Sequence, residues 1–257
     1  MWWLVLAMGC EHPKRETKLA EGWVKIRGGS FNIGHDGDRR AGPAHPIEVP
    51  TFWIRQTEVT VAEYAACVDA GVCDADPPGR VPSRCNWAQR ESRADHPMNC
   101  LNWSMANSYC RWAGARLATE SEWEFAATSR GTRWPYPWGQ AEPSCELAHT
   151  KACEPDLTKP TCSLPNGNTE QGLCDMAGNA YEWTLDAFKD NYKDHPNHGG
   201  ATLTETAPDF RALRGGGIGS DEPLTVYNRA FHDPDFYYSG MGARCVYGPS
   251  RSERKVH

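Results

Sequence analysis

The chain has 257 residues, enough for one sizeable core, and its 39% hydrophobic and 23% charged content fits a globular protein. A net charge of −6, with no basic run longer than Lys14-Arg15, excludes a nucleic-acid footprint, which needs clustered positive charge. Eleven tryptophans and eleven cysteines set the chain apart from an ordinary reduced enzyme.

Residues 1–10, "MWWLVLAMGC", form an apolar run ending at Gly9-Cys10. It is far too short to cross a bilayer, which takes about 20 residues, and reads as the end of a bacterial lipoprotein signal in which Cys10 receives lipid. No positive segment precedes it, and Ala7 stands where a larger aliphatic residue is usual. Residues 11–21 read as a tether, 22–248 as one domain and 249–257 as a tail. On this reading the protein is secreted, or anchored to the bacterial cell envelope through Cys10.

Within the domain, "WVKIRGGSFNIG" and "HPIEVPTFWIRQTEVT" alternate well enough to be strands. "TVAEYAACVDAG" carries a capping box, Thr60 with Glu63, and stops at Gly71; Val61, Tyr64, Ala65 and Val68 share its apolar face. A second helix is predicted from Ser104 to Gly114, stacking Met105, Tyr109 and Trp112. "TESEWEFAATS" repeats the capping box with Thr119 and Glu122 and presents Trp123, Ala126 and Ala127. Long Pro/Gly-rich stretches over 72–102 and 134–170 predict irregular structure, and the cysteines concentrate there. Loops of that length need staples to stay ordered. With Cys10 set aside, ten cysteines remain and no CxxC pair occurs, which favours disulfides over a zinc site. Proximity pairs Cys67 with Cys73, Cys85 with Cys100, Cys145 with Cys153, and Cys162 with Cys174. Further on, "GLCDMAGNAYEWTLD" (172–186) is too rich in Gly and Asn for a helix and lacks strand alternation. "LRGGG" and "MGARCVY" read as central strands.

Seven pieces in order, "GGSFNIG", "HPIEVPTFWIRQTEVTVAEY", "HPMNCLNWSMANSYCRWAGARLATESEWEFAA", "YPWG", "NGNTEQGLCDMAGNAYEW", "RGGG" and "GARC", resemble the formylglycine-generating enzyme, or sulfatase-modifying factor, family. The resemblance covers about 22–248. It implies an α+β single domain of the C-type-lectin-like fold, irregular and loop-rich. It also implies a disulfide between Cys110 and Cys245. In the family the "GLCDMAGNAYEW" loop binds a structural Ca²⁺; carried over, Asp175 and Glu182 supply side-chain oxygens, and Gly178 and Ala180 main-chain carbonyls, a donor set suited to a hard cation. A second family calcium site has no matching ligands in "CELAHTKACEPD".

The family enzyme oxidises a sulfatase cysteine to formylglycine with oxygen and Cu(I), held by two cysteines just after the double glycine. Soft Cu(I) suits thiolates. Here those positions are Ser220 and Thr225, and no cysteine lies between 174 and 245. Nearby, Gly217 replaces a serine, Tyr181 a tryptophan and His232 an arginine of the family pattern. Copper is therefore not expected. The expected function is an envelope-associated binding or structural module with a cleft near Tyr181, Gly217, Ser220, Thr225 and His232. Its ligand, whether protein, peptide or glycan, is left open. The alternatives are an active formylglycine-generating oxidase and an iron-dependent chemistry on the same fold. His195 and His198 read as solvated histidines without a third ligand. Asp233 and Asp235 read as a solvated turn, and Ser220 beside Asp221 carries no nucleophile motif.

Overall fold

The computed structural model describes residues 21–75, 84–153, 157–202, 209–219 and 223–248. Cys10 and Ser220, and the proposed signal and tail, lie outside the described residues.

Both predicted strand regions form strands. β1 (Trp23–Ile26) pairs antiparallel with β4 (Phe52–Arg55), and β2 (Gly29–Ile33) with β3 (His45–Val49). β2 and β3 bury every second residue, Phe31 and Ile33 on one strand and Ile47 and Val49 on the other, with Phe31 opposite Ile47, as a half-buried ribbon should.

Helices α1 (Val61–Asp69) and α3 (Glu120–Ala127) begin at the reciprocal capping boxes read from the sequence, Thr60 with Glu63 and Thr119 with Glu122. Helix α2 (Trp103–Trp112) starts earlier than predicted. Asn102 caps it, its side chain accepting from the Met105 N–H at 2.9 Å. Trp112, expected on the packed face, is 39% exposed.

The longest strand was not predicted. Tyr181–Ala187, the end of the Gly/Asn-rich stretch, is strand β6. It lacks polar alternation because both of its faces are buried. Around it stand β7 (Arg211–Arg214), β8 (Ala230–His232) and β9 (Met241–Ala243), in the order β8-β7-β6-β9, with β6 and β9 parallel. A second four-stranded sheet runs β1-β4-β10-β5, where β5 is Arg116–Leu117 and β10 is Cys245–Tyr247. The family's α+β, loop-rich architecture is thus the observed one.

Two hydrophobic clusters fill the interior. One gathers Ile26, Phe31, Ile33, Phe52, Trp123 and Phe125; the other joins the two helices α1 and α2 to β6 and β9 through Tyr64, Met105, Trp183 and Met241. Five disulfides tie the loops, with the pairings expected: 67–73, 85–100, 110–245, 145–153 and 162–174. The Cys110–Cys245 bridge, spanning 135 residues, fastens α2 to β10.

Candidate functional site

The turn before β6 is built by backbone constraint. Asp175 and Asn179 adopt left-handed conformations (φ 55° and 59°), and Gly178 has φ 90°. A side chain at Gly178 would come within 2.5 Å of the His149 carbonyl oxygen, so only glycine fits. Asn179 clamps the next loop, its Oδ1 accepting from Lys159 N–H at 3.0 Å. Asp175 accepts from Cys162 N–H at 2.7 Å, joining the turn to the disulfide-bearing segment.

Of the two acids expected to face an ion, Glu182 is committed elsewhere. Arg244 grips it through Nε at 3.0 Å and Nη2 at 2.7 Å, and Trp123 Nε1 donates at 2.7 Å. Arg244 also donates to the carbonyls of Gln56 (2.6 Å) and Cys174 (2.7 Å), fixing the β9–β10 junction to this turn. The expectation that Glu182 presents free oxygens is thereby corrected: its lone pairs already face a guanidinium and an indole.

Sequence reasoning missed Glu58. This residue, in the segment between β4 and α1, is completely buried, and neither carboxylate oxygen has a hydrogen-bond donor. Burial, the adjacent Asp175 and then Glu182 push its carboxyl well above the ordinary range, with Arg244 opposing. Burial also raises Asp175. A fully buried carboxyl without donors beside a partly buried one is costly unless a proton or a cation lies between them. The available signal was an acid inside the otherwise alternating run "FWIRQTEVT". Among the described residues no three His, Cys, Asp or Glu side chains cluster as a metal cage. A hard cation here would therefore rest on Glu58, Asp175 and main-chain carbonyls, a donor set of the right chemical type.

A second acidic centre was likewise not foreseen. Helix α3, expected to present an apolar face, buries Glu120, Glu122 and Glu124 as well. Arg229 meets Glu120 through Nε (2.8 Å) and Nη2 (2.7 Å), Arg214 Nη2 meets Glu124 at 2.6 Å, and the Tyr192 hydroxyl donates to Glu120 at 3.2 Å. Burial would raise Glu120, but the charge and hydrogen bonds of Arg229, aided by Arg214, hold it down at about 2. His195 is not the solvated histidine expected. Its Nε2 lies 2.7 Å from Ser121 Oγ and its Nδ1 3.1 Å from Thr202 Oγ1, and burial lowers it to about 4. His198 accepts from Gly200 N–H at 3.2 Å. Asp233 does form a solvated turn, accepting from Asp235 N–H at 2.9 Å.

The proposed cleft residues are distributed over several elements. Gly217 packs against the start of β6, where a side chain would stand 2.8 Å from Tyr181 N and 3.0 Å from the Gly240 carbonyl. The serine of the family pattern has no room there. Tyr181 is buried. Thr225 opens the turn that Val226 N–H fastens to the Pro135 carbonyl at 2.8 Å, and its buried Oγ1 has no partner. His232 closes the edge strand β8 and stacks on Phe236 with centroids 3.4 Å apart.

Comparison with known proteins decides the family. The model of the sulfatase-modifying factor enzyme 1-like domain matches residues 10–248. The chain belongs to this family. The chain is similar to the formylglycine-generating enzyme of Streptomyces coelicolor, with 29% identity over 91% of this chain and 91% of the relative. It is also similar to the serine/threonine-protein kinase Pkn1 of Chlamydia trachomatis, with 32% identity over 92% of this chain. The chain spans only 39% of that kinase's length. Among solved structures, PvdO from Pseudomonas aeruginosa superposes with a TM-score of 0.71 at 26% identity, over 88% of this chain and 94% of that one.

Proposed function

We propose that this domain is a binding or structural module of the bacterial cell envelope that keeps the formylglycine-generating fold without its copper chemistry. The observation that supports the reading most is thiol accounting. All ten cysteines after Cys10 are joined in five disulfides. The two positions of the family's copper-binding pair are Ser220 and Thr225. A neutral hydroxyl is a poor donor for a soft monovalent ion, so the residues present do not fit Cu(I).

The disulfides also support an oxidising location, because such bridges persist outside the reduced cytosol. Cys10 is the proposed attachment point for lipid. Ca²⁺ is the proposed structural ion, held by Asp175 with the carbonyls of Gly178 and Ala180, and with Glu58 in place of Glu182. It would neutralise the Glu58 and Asp175 carboxyls and tie the segment before α1 to the turn before β6.

The test is a sulfatase-motif cysteine peptide incubated with the protein, copper, a reductant and oxygen, followed by mass. The peptide mass is expected to match the copper-only control. Cysteine-to-aldehyde conversion above that control would establish the oxidase alternative instead.

A further inference from the structure

We infer that the groove between the end of β2 and the loop after α3 is a binding site for a neutral saccharide of one or two rings. This rests on the binding-module reading and names its ligand class.

The groove has a volume of about 740 Å³, in the range of small-ligand sites. Phe31 and Val226, 7% and 3% exposed, form its apolar floor. Trp134 and Tyr227 supply aromatic surface at its sides. Tyr227 is held flat by His35, stacked at 4.3 Å and 16°. At the rim stand Asn32, Asp36 and Arg133, all exposed. Asp36 spends one oxygen on Ala44 N–H (2.8 Å).

The ionic centre beneath preorganises both sides. Glu124 Oε1 accepts from Gly34 N–H at 2.6 Å on the β2 side, and Arg214 Nη2 donates to the Val226 carbonyl at 2.6 Å on the other. A site held by buried, hydrogen-bonded groups needs little reordering to bind.

The ligand class follows from the mixture of groups. A sugar ring has an apolar C–H face and a circle of hydroxyls that both donate and accept. The first matches Trp134 and Tyr227; the second matches an amide, a carboxylate and a guanidinium. Arg133 and Asp36 offset each other, so neither an anion nor a cation is favoured. A nucleobase sandwich is opposed because His35 already covers one face of Tyr227. A peptide adding a strand to β2 is opposed because the turn after α3 lies against it: a side chain at Gly131 would stand 2.5 Å from Phe31 Cβ.

The experiment is saturation-transfer NMR on the full chain. The probes are glucose, galactose, mannose, N-acetylglucosamine and their β-linked dimers, with glucuronic acid and a pool of heptapeptides as comparisons. At least one neutral sugar should bind. Trp134→Ala should weaken it about tenfold, the loss expected for one stacked ring. Asn32→Ala, an exposed change that leaves the core intact, should weaken it severalfold. No neutral sugar binding at millimolar concentration, equal binding by Trp134→Ala, or preferential binding of the peptides or the uronic acid would each overturn the inference. None of these outcomes depends on the cysteine-peptide assay, so loss of the saccharide and loss of the non-oxidase reading are separately visible.

Discussion

Glu120 and Glu124 lie in the core with a donor on every oxygen, whereas Glu58, equally buried, has none. The first pair faces two arginines, a tyrosine and a main-chain N–H; the second site pairs Glu58 with another carboxylate, Asp175. The contrast separates architecture from a site that calls for something more. An ionic centre whose carboxylates are all satisfied fixes the chain and requires no ligand. An unsaturated one is satisfied only by a proton or a cation brought from outside.

The same chemical change should therefore have opposite consequences in the two places. Glu120→Gln removes the charge that Arg229 and Arg214 share, which takes the ion-pair partner from Arg229 and leaves Arg214 with Glu124. Breaking such a pair costs about 3–5 kcal/mol, to be read from the urea midpoint, with no change in the response to calcium. Calcium withdrawal comes next in size. If calcium binds only the folded chain, chelation removes about 2.7 kcal/mol at a free concentration one hundred times Kd, seen as a lower melting temperature. Glu58→Gln should abolish that response and, with chelator present, leave stability no lower than the parent, because one of two adjacent carboxyls is gone. A Glu58→Gln chain that still responds to calcium, or that is destabilised as much as Glu120→Gln, would erase the distinction.

The difference also explains what the sequence made legible. Capping boxes and short disulfides join residues a few positions apart, so Thr60 with Glu63 and Cys67 with Cys73 could be read locally. The arginine partners of Glu120 and Glu124 lie 90 to 109 residues away in sequence, and nothing near either acid announces them. The period of an α3-like segment reports its exposed and buried faces only when it has an exposed face; here every residue is buried. Strand β6 was hidden for the same reason. The turn before it was legible as a tight, acidic loop, while Glu58, which completes the acidic pair, comes from a segment 117 residues earlier than Asp175. The Cys110–Cys245 bridge was accessible only through the family resemblance.

The central claim, a formylglycine-generating fold that binds without oxidising, is tested most directly by copper itself. Cys10→Ser chain, with its disulfides intact, is titrated with Cu(I) against a colorimetric chelator of known affinity. The chelator should retain all the copper, because no thiolate pair exists to compete for it. One equivalent of Cu(I) withdrawn per folded chain would contradict the account.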